Sequence, residues 1–173
     1  LEQQGKAPEI TPECLIDIRI DAFIPEKYIS NQAQRVDCYR KIAMIENDDD
    51  AYDVTDELID RYGDVPRAVE GLIEVAKLRR IAQKMHLTEI IQSGDVMIFY
   101  PEKTDKKTME RVSAVGGKFG KAMMLNIATD KPNFRVSGVD KYGGPLALLD
   151  DTLAVMQSVD GEKDNKKDTE EGE

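Results

Sequence analysis

The hydrophobic period of this 173-residue chain changes at His86, and that change limits the folds open to it. Before His86 the apolar residues recur mostly at helical spacing; after it they alternate, as on a strand with one face buried. Thr88–Gln92 and Asp95–Tyr100 flank Ser93-Gly94, a tight-turn signal, so the pair reads as a hairpin. Val96, Ile98 and Tyr100 then fall on one face, and Met97 and Phe99 on the other. A short helix near Asp105–Val115 follows, then a Gly-rich loop, strands at Ala122–Ile127 and Asn133–Ser137, and a Gly143-Gly144-Pro145 turn. That turn opens a last helix with Leu146, Leu149, Leu153 and Met156 at helical spacing.

Upstream of His86, Leu15–Asp21 alternates apolar and charged residues and reads as a half-buried strand with Ile16, Ile18 and Ile20 inward. A helix over about Asn31–Glu46 has Val36, Tyr39, Ile42, Ala43 and Ile45 as its apolar face and Ser30 as its cap. Asn47-Asp48-Asp49-Asp50 breaks it and supplies caps and favourable charge for the next helix, which runs to Tyr62 and stops at Gly63. A third helix starts after Asp64, taken as its cap, with Pro66 in its first turn, and buries Val69, Leu72, Ile73 and Ala76. The fold class is therefore α+β: a helical first half packed with a small, mainly antiparallel sheet and a C-terminal helix. One hydrophobic core suits this length. Residues 1–13, polar with two prolines, read as a linker; 14–159 form the domain; 160–173, with ten charged residues and no apolar one, read as a disordered acidic tail.

The net charge of −10 argues against a nucleic-acid grip and against docking on an anionic membrane surface. No apolar run is long enough for a transmembrane helix. The two cysteines, Cys14 and Cys38, can form at most one disulfide and read as reduced and cytosolic. Opening at Leu1 rather than Met, the chain reads as a piece of something longer.

Motifs for chemistry fail on spacing. In Gly116-Gly117-Lys118-Phe119-Gly120-Lys121, neither Gly-Lys pair has the upstream Gly or the following Ser/Thr of a phosphate loop. Asp48-Asp49-Asp50 opens no calcium loop, since the fifth, sixth and twelfth positions hold Tyr52, Asp53 and Ile59. Cys14 and Cys38 lack the neighbours of a zinc site, and the single His86 reads as a charge complement to a helix end. No catalytic residue, cofactor site or metal site is assigned.

The second helix is the informative segment. On a wheel of about 100° per residue, Ala51, Val54, Leu58, Ile59 and Tyr62 share one side, and Asp53, Glu57 and Asp60 form a stripe opposite. Like charges three apart repel, and Arg61, four after Glu57, offsets part of this. The stripe is either an ordinary solvated face or a docking stripe for arginines on a partner, which bidentate pairs would orient.

Four segments in order, Ile24–Ile29, Arg35–Ala43, Glu57–Pro66 and Ala76–Arg79, resemble the C-terminal domain of the bacterial transcription-repair coupling factor family (Mfd). The resemblance covers about residues 13–158, more loosely in the sheet half, and does not extend to the acidic tail or the Gly-Lys loop. It implies a cytoplasmic bacterial parent that is an ATP-driven DNA translocase, removes stalled RNA polymerase and recruits UvrA for nucleotide excision repair. It also implies that this domain is no enzyme, that ATP belongs to motor domains outside it, and that it packs on the UvrB-like N-terminal module, masking the UvrA-binding surface in an autoinhibited state. The interface residues so implied are Glu57 and Asp60, with Asp53 and Arg61 beside them. The alternative is a small ligand-binding or enzymatic domain with a cleft near residues 116–121. A third reading is a DNA contact through Lys77, Arg79, Arg80 and Lys84, against the net charge.

Overall fold

The structure is a computed structural model that describes the backbone of residues 13–170 and the side chains of residues 13–161. Five helices and five strands follow one another: β1 (Leu15–Asp17), α1 (Gln32–Ala43), α2 (Asp48–Tyr62), α3 (Arg67–Lys84), β2 (Leu87–Ser93), β3 (Val96–Pro101), α4 (Lys106–Phe119), β4 (Met123–Asn126), β5 (Asn133–Ser137) and α5 (Pro145–Glu170). A single 3-10 turn, Gly120–Ala122, joins α4 to β4. The sheet order is β1-β2-β3-β5-β4; β1 runs parallel to β2 and every other pair is antiparallel. This is the α+β arrangement the period change requires.

The β2–β3 hairpin closes on the pair Ser93↔Val96 with Gly94 at φ 60°, a left-handed value that favours glycine. Met97 and Phe99 are fully buried, as the alternation requires. Phe99 stacks on Phe134 of β5 with ring centroids 4.7 Å apart. This face packs against Val112, Val115 and Phe119 of α4 and Leu148, Leu149, Leu153 and Met156 of α5.

The chain builds two hydrophobic cores, not one. The second gathers Ile24, Ile29, Cys38, Ile42, Ile45, Ala51 and Leu58 around Val69, Ile73 and Ala76 of α3. Helix α3 spans both, because its last turns bury Leu78 and Ala82 in the sheet core. The segment after β1 crosses α3 at Gly71, where a Cβ would lie 3.0 Å from the Asp21 carbonyl oxygen; only glycine lets the backbones approach so closely.

Several boundaries differ from the sequence expectation. β1 ends at Asp17, because the Arg19 amide donates to the Gln92 side chain (2.8 Å) instead of continuing the ladder. The cap of α1 is Asn31, not Ser30: its side chain accepts from the Gln34 amide. Val36 and Tyr39 are exposed, and Cys38 is buried with Ile42 instead. On the wheel Val36 lies roughly 160° from Cys38, so one neighbouring layer cannot cover both. Asp64 does not cap α3; Pro66 holds that position without a side-chain bond, and Asp64 stands two residues too early. Gly116-Gly117-Lys118 is no loop. It forms the last turns of α4, carried through by Val112, Val115 and Phe119 in the core, and Gly120 (φ 55°) ends the helix. A Gly-Lys cleft therefore loses its motivation.

The linker expectation for 1–13 lies, except for Glu13, outside the described residues. At the other end, α5 continues to Glu170, through most of the segment expected to be disordered. Asp160, the first residue of that segment, accepts from Arg111 at 2.8 Å and 3.3 Å, and Arg111 is buried in α4. A buried guanidinium left unpaired is costly, and Asp160 supplies the partner.

Candidate functional site: the outer face of α2

Helix α2 begins where Asn47 accepts from the Asp50 amide (2.8 Å), with three aspartates in its first turn, where the dipole favours them. It ends at Gly63, φ 86°. Ala51 and Leu58 are buried against the helical core, and Val54 and Tyr62 pack at its edge. Tyr28 clamps the C-terminal end: its ring meets Tyr62 edge-on at 5.8 Å, and its hydroxyl donates to the Leu58 and Gly63 carbonyl oxygens. Ile59, expected inward, is 47% exposed. It lies about 100° from Leu58, and the neighbouring helices cover only the Leu58 side.

The four expected site residues separate into two groups. Glu57 turns toward α1, where its Oε1 accepts from Lys41 Nζ at 2.6 Å and from Arg61 at 3.3 Å. Lys41 also lies 3.4 Å from Asp37. The Lys41 hydrogen bond is the main reason the Glu57 carboxyl is held below the usual carboxylate range. Arg61 also places its guanidinium 5.2 Å from the Tyr62 ring centroid. Glu57 and Arg61 thus belong to a local network over the α1–α2 seam. The void beneath them is only about 10 Å³, room for about one water and no ligand.

Asp53 and Asp60 lie on the same face, within about 60° of Glu57 on the wheel, but do not share its network. Both are exposed, and neither has an ion pair among the described residues. They are joined by Asp49 and Asp56, so carboxylates at positions 49, 53, 56 and 60 follow one another at spacings of three and four along one continuous ridge. Tyr52, 68% exposed, and Ile59 flank this ridge seven residues apart, hence two turns apart on the same side. The sequence wheel did not separate Glu57 from the ridge, because its partner Lys41 comes from another helix. Nor did it show Tyr52 and Ile59 as surface residues, since the spacing alone does not say which side of the helix is covered.

The basic residues at the end of α3 are partly consumed by the fold. Arg80 donates to the Ile45 (3.0 Å) and Ala43 (3.1 Å) carbonyl oxygens at the end of α1, and Lys77 pairs with Asp48 at 3.1 Å. His86 adopts φ 57° and lies 3.5 Å from Glu102. Burial pushes the Cys14 thiol up to about 12, far from the range of a reactive thiolate. Among the described residues, no three His, Cys, Asp or Glu side chains group so as to hold a metal ion, and no helix is long and apolar enough to cross a membrane.

A family model described as "TRCF domain" matches residues 18–112, from the end of β1 into α4. The chain belongs to the TRCF domain family. The coupling factor of Staphylococcus haemolyticus is 29% identical over 150 residues, which is 86% of this chain and 12% of that protein. That of Bacillus subtilis is 28% identical over 159 residues, 91% of this chain and 13% of that protein. The chain therefore spans a small part of the curated relatives it matches. A crystal structure of the C-terminal domain of transcription-repair coupling factor superposes with a TM-score of 0.64 at 21% identity, covering 85% of this chain and 96% of that one, a likeness of fold. The whole α2 ridge lies inside the TRCF domain match, whereas β4, β5 and α5 lie beyond it.

Proposed function

We propose that this TRCF domain is a non-catalytic regulatory module of a bacterial, cytoplasmic transcription-repair coupling factor. It packs on the UvrB-like N-terminal module of the same polypeptide and masks the surface that binds UvrA. The parent's DNA translocation, its ATP and its contact with RNA polymerase belong to modules outside this chain. The observation that carries this reading is the α2 ridge: exposed carboxylates of Asp53, Asp56 and Asp60, none of them in an ion pair among the described residues. Such a ridge draws guanidinium groups, and bidentate pairing fixes orientation. A clamp of this kind must also open, and charge pairs at a wet interface keep the difference between closed and open to a few kcal/mol.

The geometry refines the roles of the two motif carboxylates. A partner arginine reaching Glu57 must share it with Lys41 and Arg61, whereas Asp60 is available outright. Calorimetry with the separately produced UvrB-like module checks this. Asp60→Asn is expected to weaken binding about tenfold, equivalent to about 1.4 kcal/mol, and Glu57→Gln by less. The double variant Glu57→Ala/Asp60→Ala keeps its fold by circular dichroism and binds more weakly than either. Unchanged affinity in the folded double variant removes these residues from the interface.

A further inference from the structure

The sheet carries, at one edge, a second surface with no strand paired to it among the described residues. β4 is the terminal strand of the order β1-β2-β3-β5-β4, so one of its two backbone edges has no strand beside it. Natural proteins blunt such an edge by keeping it short, or with a proline, a bulge or a charge. β4 is short, four residues, but Met123–Asn126 contains no proline or charge, and its pairing with β5 runs without a register shift from Met123↔Val136 to Asn126↔Asn133. Two of its four side chains, Met124 and Leu125, are apolar and exposed. Met124 is 66% exposed, Leu125 41% and Ile127, just past the strand, 50%. The register puts Leu125 opposite buried Phe134, on the face packed by α4 and α5, and Met124 opposite Arg135, on the other face. An added strand would therefore find an apolar neighbour on each side of the sheet.

Charge restricts what that strand can be. Residues 116–137 hold four cations, Lys118, Lys121, Lys131 and Arg135, and one carboxylate, Asp130, in a chain of net charge −10. Lys118 and Lys121 are exposed and make no ion pair among the described residues, while Lys131 is held by Glu89 at 2.8 Å and lies over the Tyr100 ring. A second copy pairing through its own β4 would bring these cations against like cations. We propose that the β4 edge accepts an extended segment of another protein in which carboxylates alternate with apolar side chains. Main-chain bonds to the free edge would supply affinity, Met124 and Leu125 the alternating contacts, and Lys118 and Lys121 the charge selection. This surface is separate from the α2 ridge and does not depend on its role.

The test uses the full chain, isotopically labelled, with two synthetic hexapeptides as probes, one alternating Glu with Val and the other Lys with Val. At low ionic strength the Glu-Val peptide is expected to shift the backbone amides of residues 123–127 and to bind at least about tenfold more tightly than the Lys-Val peptide. Lys118→Glu/Lys121→Glu, at exposed positions, should abolish or invert that preference while leaving the rest of the amide spectrum in place. The proposal is overturned if neither peptide moves these amides, or if both bind equally. It is also overturned if the same amides shift on concentrating the chain alone while sedimentation shows a dimer, which would make a second copy the occupant.

Discussion

The two lobes of this domain are held by different physics, although one helix runs through both. The sheet lobe is apolar to its centre: Met97, Phe99, Phe134, Val136, Leu148, Leu149, Leu153 and Met156 are all completely shielded from water. The helical lobe has a smaller core and is laced instead with polar ties. Arg80 bonds the carbonyl oxygens that end α1, Lys77 holds the first turn of α2, Tyr28 and Tyr39 donate to or accept from backbone across elements, and Lys41 joins α1 to Glu57. Apolar burial is close to all-or-none, whereas each polar tie is worth about a kilocalorie and exchanges readily with water. The proposed docking face thus sits on the lobe best suited to local rearrangement, and the rigid lobe anchors it through α3.

The largest expected effect breaks the sheet side of this contrast. Phe99→Ala removes one ring of the stacked Phe99–Phe134 pair from a site with no access to water. A truncation of this kind costs about 3–5 kcal/mol. Because α3 contributes to both cores, the loss should appear as one cooperative shift of the urea midpoint, with the slope unchanged. A second transition would show instead that the helical lobe stands without the sheet.

A smaller change probes the helical side. Arg80→Ala leaves the Ala43 and Ile45 carbonyl oxygens without their guanidinium and should cost about 2 kcal/mol. The readout that sharpens the comparison is amide hydrogen exchange. Protection is expected to fall in α1 and α2 while that of β3 and β5 changes little, since the polar ties govern local opening of one lobe only. An equal fall in both lobes would mean that they open as one unit.

Much of this architecture could be read from the sequence, and what could not shares one cause. The β2–β3 hairpin was legible because Ser93-Gly94 sits between two runs of strict alternation, and α2 because its cap, acidic first turn and terminal glycine are all local. The TRCF resemblance was carried by four segments between the β1–α1 connection and α3, where the family model also matches. The failures required a partner from elsewhere in the chain. β1 is short because Gln92 intercepts an amide; Gly116 and Gly117 stay helical because Val115 and Phe119 are pinned in the core; and buried Arg111 finds its partner in Asp160, forty-nine positions later. At the candidate site the same rule holds. The acidic stripe was legible as a stripe, but its division into a paired Glu57 and unpaired Asp53 and Asp60 depends on how α1 docks.

That division has its own, smallest, signature in the pH dependence of stability. Glu57 is held below the ordinary carboxylate range, first by its hydrogen bond from Lys41, and Lys41 is raised above its ordinary value, first by the same bond. For Glu57 the folded value lies below the unfolded one, so its contribution is complete above the unfolded value, about 4.3, and is lost as pH falls through the folded value. For Lys41 the folded value lies above the unfolded one, so its contribution is complete below the unfolded value, about 10.4, and is lost only as pH rises through the folded value. Between those limits the pair acts with full strength, yet it is solvent-exposed and screened, so its contribution is small. Chemical denaturation of the native chain and Glu57→Gln should therefore differ by a constant amount from pH 6 to 8, with the difference shrinking toward zero below about pH 4 and in molar salt. Asp60→Asn, with no ion pair to lose among the described residues, should affect docking more than Glu57→Gln does. If Glu57→Gln costs the same at every pH, the seam is held by shape rather than charge, and the contrast between the two lobes narrows accordingly.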